Sequence, residues 1–187
     1  MLSTREYLAE LAAILAHIDP AAVETATRVL VDAYDSDATI FVIGNGGSAS
    51  TASHFALDLA KNPVHALDQR PPRCVSLTDN VAALTAWAND TSYDRVFEAQ
   101  LMSIWRRGDV LVAISASGNS PNVVRAVRWA NEHGGTTVGL LGRGGGECAS
   151  LCHAPVVMPH MDYGHVETAH LALCHYWVDV FKAHLKG

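Results

Sequence analysis

Five short apolar runs alternate along this chain with segments whose apolar residues recur at helical spacing, and that alternation leaves few folds open. The runs are Ala38-Thr39-Ile40-Phe41-Val42-Ile43, Cys74-Val75-Ser76-Leu77, Val110-Leu111-Val112-Ala113-Ile114-Ser115, Thr137-Val138-Gly139-Leu140-Leu141 and Pro155-Val156-Val157-Met158. Continuous hydrophobicity, rather than strict alternation, marks strands buried on both faces, as in a parallel sheet covered by helices. Helices are predicted over 48–61, 80–88, 93–106, 120–133 and 164–185, with two leading helices over 3–18 and 20–34. The expectation is α/β, a three-layer α/β/α doubly wound sheet of five parallel strands. With 187 residues the chain is read as a single domain, residues 1–35 supplying helices that pack at an oligomer interface.

Composition narrows the class. Hydrophobic residues make up 49% and charged residues only 17%, which argues against intrinsic disorder. No apolar run approaches the roughly 18 to 20 residues that cross a bilayer, so no membrane partner is expected. The start, Met1-Leu2-Ser3-Thr4-Arg5-Glu6, mixes charges and lacks a signal-like apolar core, which places the protein in the cytoplasm. The formal net charge of −6 disfavours a nucleic-acid partner, although a single phosphate could still be held locally. The four cysteines form no Cys-x-x-Cys pair and are read as buried thiols, with Cys148-x-x-x-Cys152-His153 read as a helix interior rather than a metal patch. Of ten histidines, seven fall in the last third.

Two strand ends carry unusual turns. Gly44-Asn45-Gly46-Gly47-Ser48 leaves the first run and opens a helix, whose free amides and positive dipole end favour an anion. It matches neither the Walker-A spacing nor a dinucleotide fingerprint. Ser115-Ala116-Ser117-Gly118-Asn119-Ser120-Pro121 leaves the third run and offers three hydroxyls, enough with helix-start amides to hold a phosphate monoester without Arg or Lys. The alternative is that Ser120 merely caps the helix. On the first sheet helix His54 and Asp58, four apart, share a face and could grip one cation or simply hydrogen-bond to each other.

These motifs, with Ala88-Asn89-Asp90 and Glu167-x-x-His170-x-x-x-x-His175, resemble the sugar-isomerase (SIS) domain family, and within it the phosphoheptose isomerases. The resemblance spans about residues 3 to 183. It implies a flavodoxin-like sheet and the conversion of sedoheptulose 7-phosphate to a manno-heptose 7-phosphate. It also implies zinc or another divalent transition metal on His54, Asp58, Glu167 and His175, and a homotetramer with active sites at subunit boundaries. Aldose–ketose exchange needs a base, an acid and a stabiliser of the enediol. The implied roles are Asp58 and His175 as catalytic acid/base pair. Asn45, Gly46, Gly47, Ser48, Asn89 and Asp90 would hold sugar hydroxyls, with Asp58 and Glu167 also facing substrate, while Ser115, Ala116, Ser117 and Ser120 hold the phosphate. Members of the best-known type carry Glu and Gln where this chain has Asp58 and Glu167, and Lys61 is the one cation near the first loop.

One spacing constrains the metal set. Glu167 and His175 are eight apart, about 12 Å along a continuous helix, too far to share an ion from straight side chains. Either Glu167 lies at a frayed or bent helix start, or the two ligands come from different subunits. His170 is the local competitor and is kept as a neighbour of the metal; the other late histidines are read as compositional. Two further readings stay open, an isomerase of a different ketose phosphate and a non-catalytic phosphosugar-binding or initiator-associated SIS adaptor.

Overall fold

The computed structural model describes residues 3–64, 66 and 69–186. Met1 and Leu2, part of the N-terminal stretch weighed above, lie outside the described residues. The chain opens with α1 (Thr4–Ala16) and α2 (Pro20–Asp35). Ser3 and Glu6 close a reciprocal capping box on α1, while Asp19 caps α2 ahead of a proline in its first turn. There follow β1 (Ile40–Gly44), α3 (Gly47–Lys61), β2 (Cys74–Ser76), α4 (Val81–Asp90), a 3-10 turn (Tyr93–Arg95) and α5 (Val96–Ile104). The second half runs β3 (Val110–Ser115), α6 (Pro121–Glu132), β4 (Thr136–Leu141), α7 (Gly146–Leu151), β5 (Ala154–Val157) and α8 (Tyr163–His184).

All strand pairs are parallel and the sheet order is β2-β1-β3-β4-β5, the doubly wound arrangement expected. Alternate residues of each central strand feed opposite faces. Ile40, Val42, Val112 and Ile114 join one core with Leu30 of α2, Phe55 of α3 and Trp177 of α8. Phe41, Ile43, Leu111 and Ala113 join the other, with Phe97 of α5 and Val127 of α6. Each fully buried aromatic of this kind contributes on the order of 2–3 kcal/mol. The Trp177 indole N–H donates to Thr27 Oγ1 at 3.0 Å, tying α8 to α2 without leaving a buried donor unpaired. Thus α2 spends its apolar face on the sheet itself, and it is α1 that leaves Leu8 and Leu15 exposed.

The short helix α7 agrees with the reading of Cys148-x-x-x-Cys152 as a helix interior, although six residues are too few to display the period that would set its bounds. Its start is set by Arg143, Gly144, Gly145 and Gly146, which turn the backbone through positive φ up to its first residue. Cys148 is buried within it and Cys152 is buried just past its end, while His153 Nδ1 accepts the Thr137 amide. Burial pushes the Cys148 thiol up to about 11 and the Cys152 thiol to about 12. Both stay protonated, as buried structural thiols do.

Candidate active site at the switch point of the sheet

Neighbouring strands β1 and β3 connect outward in opposite directions, and the crevice beyond their C-terminal ends is where such sheets bind ligands. Gly44 pairs in register with Ile114, so the glycine turn and the serine turn emerge side by side. Gly46 precedes α3 at φ +56° and provides no side-chain cap, and the Ser48 and Ala49 amides of the first turn donate to the Asn45 and Gly46 carbonyls at 3.0 Å, so what α3 offers an anion here is chiefly its positive dipole end. Ser120 stands at the cap position of α6 but makes no capping hydrogen bond. The simple capping alternative is therefore not the one the fold adopts. Ser115 and Ser117 hydroxyls accept the Gly118 and Asn119 amides at 3.1 and 3.2 Å, which shapes the turn.

These elements enclose a cavity of about 180 Å³ lined by Asn45, Ser48, Ile114, Ser115, Ala116, Ser117, Ser120, Tyr163 and Glu167. No Lys or Arg is among those lining residues. Lys61 ends α3, about 21 Å of helix away from Gly47, so it does not serve this loop within one chain. Asn45 and Asn122 exchange reciprocal amide hydrogen bonds at 2.8 and 2.9 Å, and the Tyr93 hydroxyl donates to the same Asn45 oxygen at 3.0 Å. Asn122, Tyr93 and Tyr163 escaped the sequence reading. A buried asparagine in the first turn after Pro121 was the available signal for Asn122. Asn89 and Asp90 are exposed at the end of α4, where the Asn89 amide donates to Asp90 at 2.8 Å, and neither lines the cavity.

Farther along α3 and α8 lies a second centre. His54 Nε2 is 3.2 Å from Asp58 Oδ2, and His175 Nε2 approaches the same oxygen at 3.8 Å, with the two imidazole rings 5.2 Å apart. Asp58 is 19% exposed, whereas His54 and His175 are 45% and 51% exposed, so the group opens to the surface. One ligand atom from each of the three falls within 4.8 Å of the others. Two imidazoles and a carboxylate are a donor set that suits a divalent transition metal. Glu167 does not belong to this group. It sits inside continuous α8, five residues past the Asp162 cap, which leaves no frayed start to bring it nearer. Its carboxylate instead occupies the space over Gly47, where a Cβ would collide with it. Cys174, buried next to this centre, has its thiol pushed up by burial, by Cys74 and by Asp58, and stays protonated. His170 is fully buried, and neither ring nitrogen has a hydrogen-bond partner. Burial lowers it to about 4 against a smaller upward pull from the Leu141 carbonyl, which lies outside hydrogen-bond geometry, so the ring is neutral.

The SIS domain model matches residues 6–142. The phosphoheptose isomerase of Clostridium acetobutylicum is 35% identical over 165 residues, covering 88% of this chain and 83% of that protein. The phosphoheptose isomerase of Geobacter sp. strain M21 is also 35% identical, over 97% of this chain and 93% of its own. The solved phosphoheptose isomerase from Neisseria gonorrhoeae superposes with a TM-score of 0.85 at 33% identity, covering 95% of each chain. The chain belongs to the SIS domain family, and its similarity there is to the phosphoheptose isomerases.

Proposed function

We propose that this protein isomerises sedoheptulose 7-phosphate to D-glycero-D-manno-heptose 7-phosphate through an enediol. The observation that carries the reading is the Asp58 carboxylate lying between two imidazoles on the same helix whose first turn opens into the switch-point cavity. Relatives named phosphoheptose isomerase over almost the full chain support the same activity.

The phosphate enters the cavity of Ser115, Ser117 and Ser120, where hydroxyls supply donors and the positive dipole end of α3 favours the anion without a fixed cation. Asn45, with Gly46, Gly47 and Ser48, holds the adjacent hydroxyls. The Asn122 pair fixes the Asn45 side chain beforehand, so little ordering is left to binding. Asn89 and Asp90 are assigned to the sugar chain from the surface of α4. Asp58 takes the proton from the carbon next to the carbonyl and returns it to the neighbouring carbon. His175 transfers the proton between the two oxygens. His54, Asp58 and His175, with Glu167, are the assigned ligands of zinc or a related divalent ion, which would polarise the two substrate oxygens and stabilise enediol charge.

The cavity and the His54–Asp58–His175 group lie at different heights on α3 and α8, with about 12 Å of helix between Glu167 and His175. A homotetramer whose sites form between subunits removes this separation by letting one chain's cavity face its partner's cluster. Exposed Leu8, Leu15, Leu57 and Tyr176 are apolar surface that such contacts would cover. No helix among the described residues is long and apolar enough to cross a membrane, and we place the enzyme in the cytoplasm.

A panel of ketose phosphates, followed by product identification, tests the activity. Turnover of sedoheptulose 7-phosphate above the five- and six-carbon ketose phosphates is expected. Preference for a shorter sugar would move the assignment to another phosphosugar isomerase, and no turnover of any would favour a phosphosugar-binding adaptor.

A further inference from the structure

We propose that Glu10, His160 and His165 form a second divalent-metal site, distinct from the His54–Asp58–His175 group and joining α1 to the start of α8. Each of the three offers one ligand atom within 4.8 Å of the others, and none of them is fully exposed. Donors of a tetrahedral ion at a typical ~2.1 Å are about 3.4 Å apart, so side-chain adjustments of roughly an ångström close the set. His165 Nε2 is already 3.8 Å from Glu10 Oε2.

The orientation of His165 is what distinguishes this cluster from a chance grouping. The ring is 2% exposed, and its Nδ1 lies 3.1 Å from Asp162 Oδ1, the same oxygen that caps α8 by accepting the His165 amide. A carboxylate that accepts a hydrogen bond from Nδ1–H fixes the ring with Nε2 aimed outward, which is the arrangement that orients metal-bound histidines. Nε2 is directed toward α1, where its N–H donates to the Tyr7 carbonyl oxygen at 3.3 Å beside Glu10, and an ion bound there would take the place of that proton. His160 lies with its ring 4.9 Å from that of His165. Its Nδ1 accepts the Asp162 amide at 3.1 Å, so binding through Nε2 shifts the ring proton to Nδ1 at the cost of that one neutral hydrogen bond. A cavity of about 340 Å³ lined by Ala13, Ile14, His17 and Pro159 opens beside two of the ligands, Glu10 and His160.

Imidazole and carboxylate donors together select Zn²⁺, Co²⁺ or Ni²⁺ over Mg²⁺ or Ca²⁺. Tyr163 and Glu167, each two residues from His165, line the switch-point cavity. An ion here would therefore pin one wall of that cavity to the N-terminal helix.

The test is metal stoichiometry on chelator-stripped full-length protein reloaded with Co²⁺ or Zn²⁺, read by mass spectrometry of metal content and by the Co²⁺ visible spectrum. Two ions per chain are expected for the wild type. Glu10→Gln with His160→Gln, both on partly exposed side chains, should lose one ion and keep the other. His54→Ala with His175→Ala should retain one ion, and Zn²⁺ should still raise its thermal midpoint. A single ion per chain in the wild type, unchanged by Glu10→Gln with His160→Gln, would overturn the proposal. So would undiminished binding of two ions by that variant.

Discussion

His175 and Asp58 face each other across the contact between α8 and α3, imidazole Nε2 to carboxylate oxygen at 3.8 Å. That separation is longer than a hydrogen bond. It leaves room for an ion or a bridging group between the two, and His54 closes the group from one turn away on α3.

Asp58→Asn and His175→Ala are each expected to lower kcat for sedoheptulose 7-phosphate by at least about a hundredfold, the usual worth of a positioned acid or base. Both side chains reach the surface, so thermal midpoints should change little. Asp58→Glu tests reach separately from charge. It should retain activity well above that of Asp58→Asn if the carboxylate itself does the work. Wild-type kcat in either Asp58→Asn or His175→Ala would remove the pair from the chemistry.

Glu167 and Gly47 should act as a coupled pair. The atoms nearest a Cβ on Gly47 belong to the mobile end of the Glu167 side chain, so Gly47→Ala is expected to fold normally while pushing that carboxylate out of the cavity. KM for the phosphosugar should shift in Gly47→Ala. In a Glu167→Ala background the same glycine change should have little further effect, because the colliding group is gone. Additive effects on KM in the double-mutant cycle would mean that Glu167 and Gly47 act independently.

Much of this architecture was legible in advance, and the reasons are physical. β1 and β3 are continuous apolar runs that can satisfy themselves only between two helical layers, and their glycine and serine turns were found because they interrupt those runs. The His54–Asp58 contact follows from four-residue spacing on one helix. What escaped depends on contacts between distant residues. Asn45 meets Asn122 across 77 positions and Tyr93 across 48, and no local periodicity reports such pairs. Glu167 shares a helix with His175, but the rise of α8 carries it to the cavity instead of the imidazole cluster. His160 and His165, read as compositional, come together only when the loop after β5 folds back over α1.

Gly118 in the serine turn should tolerate no side chain. It sits at φ +64°, and a Cβ would strike the Gly145 carbonyl oxygen, a backbone atom that cannot step aside. Strain and collision together predict a loss of about 2 kcal/mol or more for Gly118→Ala. Urea unfolding would measure it as a lower midpoint with an unchanged slope. A midpoint equal to wild type would mean that the loop carrying Gly145 moves freely against the serine turn.

Acid sensitivity should trace to His170. Its folded value of about 4 lies below the ordinary 6.5, so at intermediate pH the unfolded chain binds a proton that the folded chain refuses. The associated stability is complete above about pH 6.5 and is lost as pH falls toward 4, in total about 3 kcal/mol. Other groups do not imitate this slope. Asp162 and Asp94 are held below the ordinary carboxylate value by His165 and Ser92 hydrogen bonds, and they lose their contributions at still lower pH. His165 is raised, chiefly by Asp162, so its contribution is kept below pH 6.5 and declines only as pH rises through its folded value. His170→Leu, of similar bulk and with no orphaned nitrogen to bury, should therefore flatten the stability profile between pH 4 and 6.5 while leaving stability near pH 7.5 equal or higher. Chemical denaturation across that range decides it. A variant that loses stability as steeply as the wild type would show that another group takes up the proton.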